Sequence, residues 1–177
     1  MNSIRPAAVA GSFYPGQPRQ LAESVSALLR AASIHATALD CPKALIVPHA
    51  GYIYSGPIAA SAYALLSPWR ASVRRVVLLG PVHRVPVRGL ALPQCDAFET
   101  PLGVVPLDTA GMEALARLPQ ITQSAAAHAL EHSLEVQLPF LQQTLDDFVL
   151  LPLAVGDATT QEVADTLDSA WGGPETL

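Results

Sequence analysis

ALIVPHAGYIYSG at residues 44–56 and RRVVLLGPVHR at residues 74–84 decide how this chain folds. Each holds a compact apolar run, closed by Pro or by Gly-Pro and followed closely by a histidine, His49 or His83. Short apolar runs bounded in this way read as strands buried on both faces of a parallel sheet. Strands are therefore predicted at Ala44 to Pro48 and Arg75 to Leu79. In such sheets ligands gather outside the carboxyl ends of the strands, so the two imidazoles are expected to meet in one crevice. Imidazole is also the commonest metal ligand.

Further elements follow outward from these strands. Leu21, Val25, Leu28 and Leu29 stand at helical spacing within Pro18 to Ala32. Gly56-Pro57 is expected to open a small-residue helix, IAASAYALL. A short strand is expected at Gly89 to Leu92, a hairpin-like excursion at Phe98 to Pro106, and a helix capped by Asp108 running to about Leu118. Phe148 to Leu153 reads as a strand and Thr159 to Trp171 as a helix. Strands alternating with helices imply an α/β fold, a mainly parallel sheet flanked by helices, in one domain over residues 1–177.

The stretch AHALEHSLEVQLPF, residues 127–140, carries the second constellation. If Ala126 to Leu145 is one helix, then Ala126, Leu130, Leu134, Leu138, Leu141 and Leu145 form an apolar stripe. His128, Glu131, His132 and Glu135 fall opposite. Glu131 could orient His132 or raise its pKa, as a general base requires, which makes Glu131 and His132 the candidate catalytic pair. The ordinary alternative is a solvated helix face. His128 to His132 also spells HxxEH, a metallopeptidase pattern, but one too short to carry that reading alone. Tyr52, Tyr54 and Arg84 flank the two strand-end histidines and are candidate ligand-binding residues, the arginine for a carboxylate or phosphate. His35 lies in a polar stretch and is given no role.

Composition excludes several classes. Half of the residues are hydrophobic and 14% are charged, which suits a folded core rather than a disordered chain. The net charge of −5 and the lack of a basic cluster exclude nucleic acid as a partner. No apolar run reaches membrane-spanning length and the N-terminus has no signal-peptide core, so no membrane is expected. Cys41 and Cys95, without CxxC spacing, fit a reducing, cytoplasmic setting.

Five ordered blocks carry a family resemblance: AGSFYPG (10–16), VPHAGYIYSGPIAASAY (47–63), LLGPVHRVPVRGLAL (78–92), FETPLGVVPLD (98–108) and EHSLEVQLPFLQ (131–142) followed by LLPLAVG (150–156). The chain resembles the MEMO family, also called AmmeMemoRadiSam system protein B. The resemblance implies a fold similar to that of the class III extradiol dioxygenase catalytic subunits. It also implies a metal site on His49 and His83, for iron, copper or zinc, with a third ligand from a cysteine-bearing segment beyond GGPETL. The family continues past that point with a further strand, so the chain is expected to be C-terminally truncated, with an open sheet that favours self-association into a homo-oligomer. In that fragment the metal is either absent or held by the two histidines and water. Three functions are open on this reading. The first is a metal- or ligand-binding MEMO-family protein of unestablished reaction. The second is an Fe(II) dioxygenase, which needs two histidines and a carboxylate. The third is a non-catalytic module for a peptide or small acid.

Overall fold

The computed structural model describes residues 3–33 and 40–177; His35 lies outside them. In chain order the elements are β1 (Ile4–Arg5), α1 (Pro18–Ser33), α2 (Tyr52–Tyr63), a 3₁₀ helix at Ala64–Trp69, β2 (Arg75–Pro81), β3 (Leu90–Leu92), β4 (Ala97–Thr100), β5 (Gly103–Pro106) and α3 (Thr109–Leu115). They continue through β6 (Ile121–Gln123), α4 (Ala125–Ala129), a 3₁₀ turn at Glu135–Gln137, α5 (Leu138–Thr144), β7 (Val149–Val155) and α6 (Thr160–Ala170).

The larger sheet has the order β2-β7-β3-β6. β2 and β7 pair in parallel over their full length, β3 and β6 are parallel, and β3 runs antiparallel to β7. A smaller sheet, β1-β4-β5, contains the expected hairpin at residues 97–106. The fold is thus mixed α/β, with two sheets where the sequence indicated one. β1 and β6 are too short, at two and three residues, to show a hydrophobic period. β7 is almost wholly buried, since its two faces meet different helices. One apolar cluster, around Leu21, Leu66, Phe98, Phe140 and Leu150, joins α1, α2 and α5 to the sheet. A second, around Leu90, Leu115, Leu151 and Leu153, lies under α3 and α6, and a third, small one holds Val87, Ala91, Ala127, Leu134 and Ala154.

Local chemistry sets the helix ends where the sequence located them. The Asp108 carboxylate accepts the Gly111 N–H at the start of α3. Thr159 and Glu162 form a reciprocal capping box at α6. Two helices depart from expectation. α2 begins at Tyr52, not after Gly56-Pro57, because the Tyr52 N–H is taken by the Phe13 carbonyl and the turn starts there. The expected long helix over Ala126 to Leu145 is broken into α4, a turn, a 3₁₀ turn and α5. Consequently Leu130 is exposed rather than in the core, while Leu134 and Leu138 are buried as expected. His128 and Glu135, placed on the polar face by helical geometry, are also buried.

The break is held by the N-terminal strand. The Arg5 guanidinium donates to the carbonyls of His128 and Glu131 and to the Glu135 carboxylate, each at 2.7 Å. Glu135 also accepts the N–H groups of Ala8 and Val9 and the Tyr14 hydroxyl. Its side chain has no exposed surface and that of Arg5 has 5%. Burial, reinforced by the bond to Glu135, pushes the Tyr14 hydroxyl far above its usual range.

The expected third strand, Ala44 to Pro48, is extended but joins no sheet among the described residues. A gap separates it from β2, and Ile46 is fully exposed. The apolar run therefore marks a sheet-like position without the pairing that would make it a strand.

Breaking the Arg5–Glu135 pair should be costly, because a lone buried charge remains. Glu135→Gln is expected to lower unfolding free energy by about 3–5 kcal/mol, read from urea titration. A second outcome concerns His128, whose Nε2–H donates to the Ala91 carbonyl while Nδ1 is buried with no partner among the described residues. Burial drives its pKa down to about 4. An unfolded histidine binds its proton near pH 6.5, so the folded state binds fewer protons between about pH 6.5 and 4. This stabilising contribution is complete above that window and is lost as pH falls through it, on the order of 3 kcal/mol in all. His128→Gln should flatten stability against pH in that window, as measured by chemical denaturation at stepped pH.

Candidate metal centre

His83 follows β2 directly, where Gly80 and Pro81 end the strand. Gly80 is required by close approach: a methyl group there would lie 2.7 Å from the Ser133 hydroxyl, which is itself bonded to the Pro81 carbonyl. His49 leaves the Ala44–Pro48 segment, whose last carbonyl accepts the Gln137 amide. His132 stands on the turn that interrupts the expected helix.

The three rings converge. Centroids lie 5.3 Å apart for His49 and His83, 4.5 Å for His83 and His132, and 5.9 Å for His49 and His132. Each offers one nitrogen, and the three nitrogens lie within 4.8 Å of one another. His49 and His83 thus share one crevice, as their positions after apolar runs predicted.

Glu131 organises the cluster from beneath. One carboxylate oxygen accepts the His83 N–H at 2.6 Å; the other faces His83 Nδ1 at 2.9 Å and accepts the N–H groups of His132 and Ser133. Burial works to raise its pKa, but these hydrogen bonds outweigh it and hold the carboxyl near 2. Glu131 is therefore an anion at neutral pH, and its bonds to the two following amides help end α4. Its nearest partner through a ring nitrogen is His83, where the sequence reading gave it His132. Burial lowers the pKa of His49, as does the facing His83 ring. Burial also lowers that of His132, against the opposing pull of Glu131. Hence His132 is not tuned upward in the manner proposed for a base.

The donor set fits a divalent cation. Imidazole suits zinc, copper and iron. Bonds of 2.0–2.1 Å in tetrahedral geometry place nitrogens about 3.3 Å apart, so the rings would draw closer around an ion. Glu131 bonded to the far nitrogen of His83 is the usual outer partner of a metal-bound histidine. His132 could supply a third donor beside His49 and His83; Cys41 and Cys95 lie elsewhere as free thiols.

A model described as "Memo-like protein" matches residues 5–172. The chain belongs to this Memo-like family. It is 40% identical over 153 residues to a MEMO1 family protein of Aquifex aeolicus, covering 86% of this chain and 55% of that one. A MEMO1 family protein of Archaeoglobus fulgidus is 40% identical over 169 residues, covering 92% and 59%. One from Methanocaldococcus jannaschii is 37% identical over 168 residues, covering 88% and 58%. The chain therefore spans rather more than half the length of these relatives, and their names state a family without a reaction.

The remaining candidates divide. The Tyr52 hydroxyl is spent on the Val136 carbonyl and its ring packs on Phe140 in the core, away from the three rings. Tyr54 projects outward from α2 and is largely exposed. Arg84 is exposed and close enough to disfavour a charge on His132. Phe13, absent from the sequence-based set, packs against His132 with ring centroids 4.6 Å apart and planes tilted by 43°, and belongs to the site. Its signal was the AGSFYPG block, which carried the Memo-like resemblance but no imidazole, thiol or carboxylate to suggest a site.

With Glu131 beside one ring nitrogen, the neutral His83 ring should carry its proton on Nδ1, donating to the carboxylate, and leave Nε2 without one. Long-range proton–nitrogen NMR at pH 8 is expected to show that single tautomer. In Glu131→Ala the His83 signals should move to a mixture of tautomers.

Proposed function

We propose that this Memo-like chain binds one divalent metal ion through His49, His83 and His132, with Glu131 orienting His83 and Phe13 supporting His132. The observation that carries the reading is the convergence of three imidazole nitrogens within 4.8 Å, over a carboxylate already committed to hydrogen bonds. Three protein donors leave a position open for water or for a small ligand. Arg84, at the exposed rim, would favour an anionic one. A bound ion would supply charge stabilisation for such a ligand, while the protein supplies neutral imidazoles and a fixed tautomer. Because both Glu131 oxygens serve backbone amides and His83, the set is three imidazoles rather than two and a carboxylate. This donor chemistry favours simple metal and ligand binding over the dioxygenase alternative. The free thiols of Cys41 and Cys95 support a reducing, cytoplasmic setting. Among the described residues no helix is long and apolar enough to cross a membrane.

Calorimetric titration of metal-free protein with Zn²⁺, and with Fe²⁺ under anaerobic conditions, is expected to give one site per chain. Glu131→Gln should weaken binding by roughly 10–100-fold, the range for an outer partner of a ligating histidine. Alanine at any of the three histidines should weaken it further. Unchanged affinity in all three alanine variants would end the proposal. Protons compete for the same nitrogens, so affinity should fall as pH drops. The lowered pKa values of His49 and His132 displace that loss to more acidic pH than for free imidazole.

A further inference from the structure

The segment that delivers His49 is held differently from the one that delivers His83. His83 comes shortly after β2, which is paired with β7 along its whole length. Residues 44–49 belong to no sheet, and among the described residues their backbone makes one hydrogen bond. The acceptor is the Pro48 carbonyl, directly before His49, and the donor is the Gln137 side-chain amide at 3.1 Å. Leu45 and Val47 add contact with the core, but apolar contact is non-directional. Past His49 the Ala50 carbonyl accepts the Ser55 hydroxyl, where α2 begins. The approach to His49 is thus directed by one side chain.

That side chain has a single workable orientation. A carbonyl only accepts, so the amide nitrogen of Gln137 must face Pro48 and Oε1 must face away. Oε1 accepts the Tyr63 hydroxyl at 3.0 Å. Both residues are buried, and the Tyr63 ring lies nearly parallel to that of Phe140, with centroids 5.2 Å apart. Burial pushes the Tyr63 hydroxyl far above its usual range, so it keeps the proton that it donates. One short segment therefore serves all three rings. It carries His132, steadies His83 through Glu131 and Ser133, and reaches His49 through Gln137.

We propose that Gln137, held in orientation by Tyr63, is the positioning residue for His49 at the three-histidine centre. The inference deepens the metal reading and rests on it. With the amide in place, the His49 ring stands 5.3 Å from that of His83 and 5.9 Å from that of His132 before any ion arrives. Donors that are already oriented lose less of the binding free energy to being ordered. Without the Gln137 donor the Pro48 carbonyl loses its protein partner, and residues 44–49 lose their one directional tie. His49 then moves with its segment, while His83, after its paired strand, and His132, on the anchored turn, stay in place. A buried glutamine with no such role would stabilise the fold as a whole, without that selectivity.

The test compares Gln137→Met, of similar length but without a donor, with Tyr63→Phe, His49→Ala, and Gln137→Met combined with His49→Ala. Zn²⁺ affinity is read by calorimetry. Gln137→Met should weaken binding by roughly 10-fold, the low end for a group that orients a ligating histidine, and Tyr63→Phe by less. In the His49→Ala background Gln137→Met should remove no further affinity, because the two residues act as one unit. Full affinity in Gln137→Met would overturn the proposal, and so would losses that multiply in the combined variant. Proton cross-relaxation in metal-free protein gives a reading independent of the ion. The peak between the His49 and His83 rings should weaken in Gln137→Met, while that between His83 and His132 persists. An unchanged peak between His49 and His83 would overturn the proposal at any Zn²⁺ affinity. If Gln137→Met does not fold, Tyr63→Phe takes its place in the same comparisons. Absence of Zn²⁺ binding in the unaltered chain, with the ring peaks behaving as expected, would end the metal reading and still leave Gln137 as the residue that places His49.

Discussion

An ionised carboxylate can leave water only if other groups replace its hydration, and Glu135 has no exposed surface. Its four partners are Arg5, the amides of Ala8 and Val9, and the Tyr14 hydroxyl. All belong to the first fourteen residues. The N-terminal strand and the AGSFYPG turn are thereby bound to the centre of the molecule. Arg5, held in place, also takes the carbonyls at both ends of the turn from His128 to Glu131. That turn could not remain helical and keep those bonds. The interruption of the helix, and with it the position of Glu131 and His132, follows from satisfying one buried ion pair.

Glu131 repeats the same physics on a smaller scale and with a different outcome. It is nearly as buried, but its partners are three amides and one imidazole rather than a guanidinium. A carboxylate that accepts several N–H bonds stays ionised even in a low dielectric. The result is a fixed negative charge beside His83, with both carboxylate oxygens engaged in hydrogen bonds. The two glutamates, four residues apart, so divide the labour. Glu135 fixes where the segment runs, and Glu131 fixes how the rings above it are presented.

The sequence was most legible where short-range chemistry decides the outcome. Asp108 and Thr159 name their helix starts because a capping side chain acts within three residues. Val76, Leu150 and Leu153 mark buried strands because both faces of a parallel pair are covered. His49 and His83 could be placed in one crevice because each closely follows an apolar run, although only the run before His83 pairs in a sheet among the described residues. Helical periodicity failed at residues 126–145 because it assumes that backbone groups bond to one another. Here Arg5 and Glu131, distant or side-chain partners, took them instead. His128 was misplaced onto a polar face for that reason, and His132 was read as a base rather than as a third imidazole beside His49 and His83. Phe13 could not be found as a site residue, since an aromatic side chain in a Gly/Pro turn looks the same whether it packs on leucine or on imidazole.

Ala44 to Pro48 shows a further limit of the same kind. An apolar run records that its surroundings are to be dry and extended, and it does so whether or not its partner strand is present. Leu45 and Val47 are partly buried against the main core while Ile46, on the alternate side, is bare. A two-residue period with one face covered is what a half-buried extended segment shows. A gap separates this one from β2, and no ladder joins the two among the described residues. The run carries the chain, anchored on one face, to His49, whose ring meets that of His83 just past the end of β2.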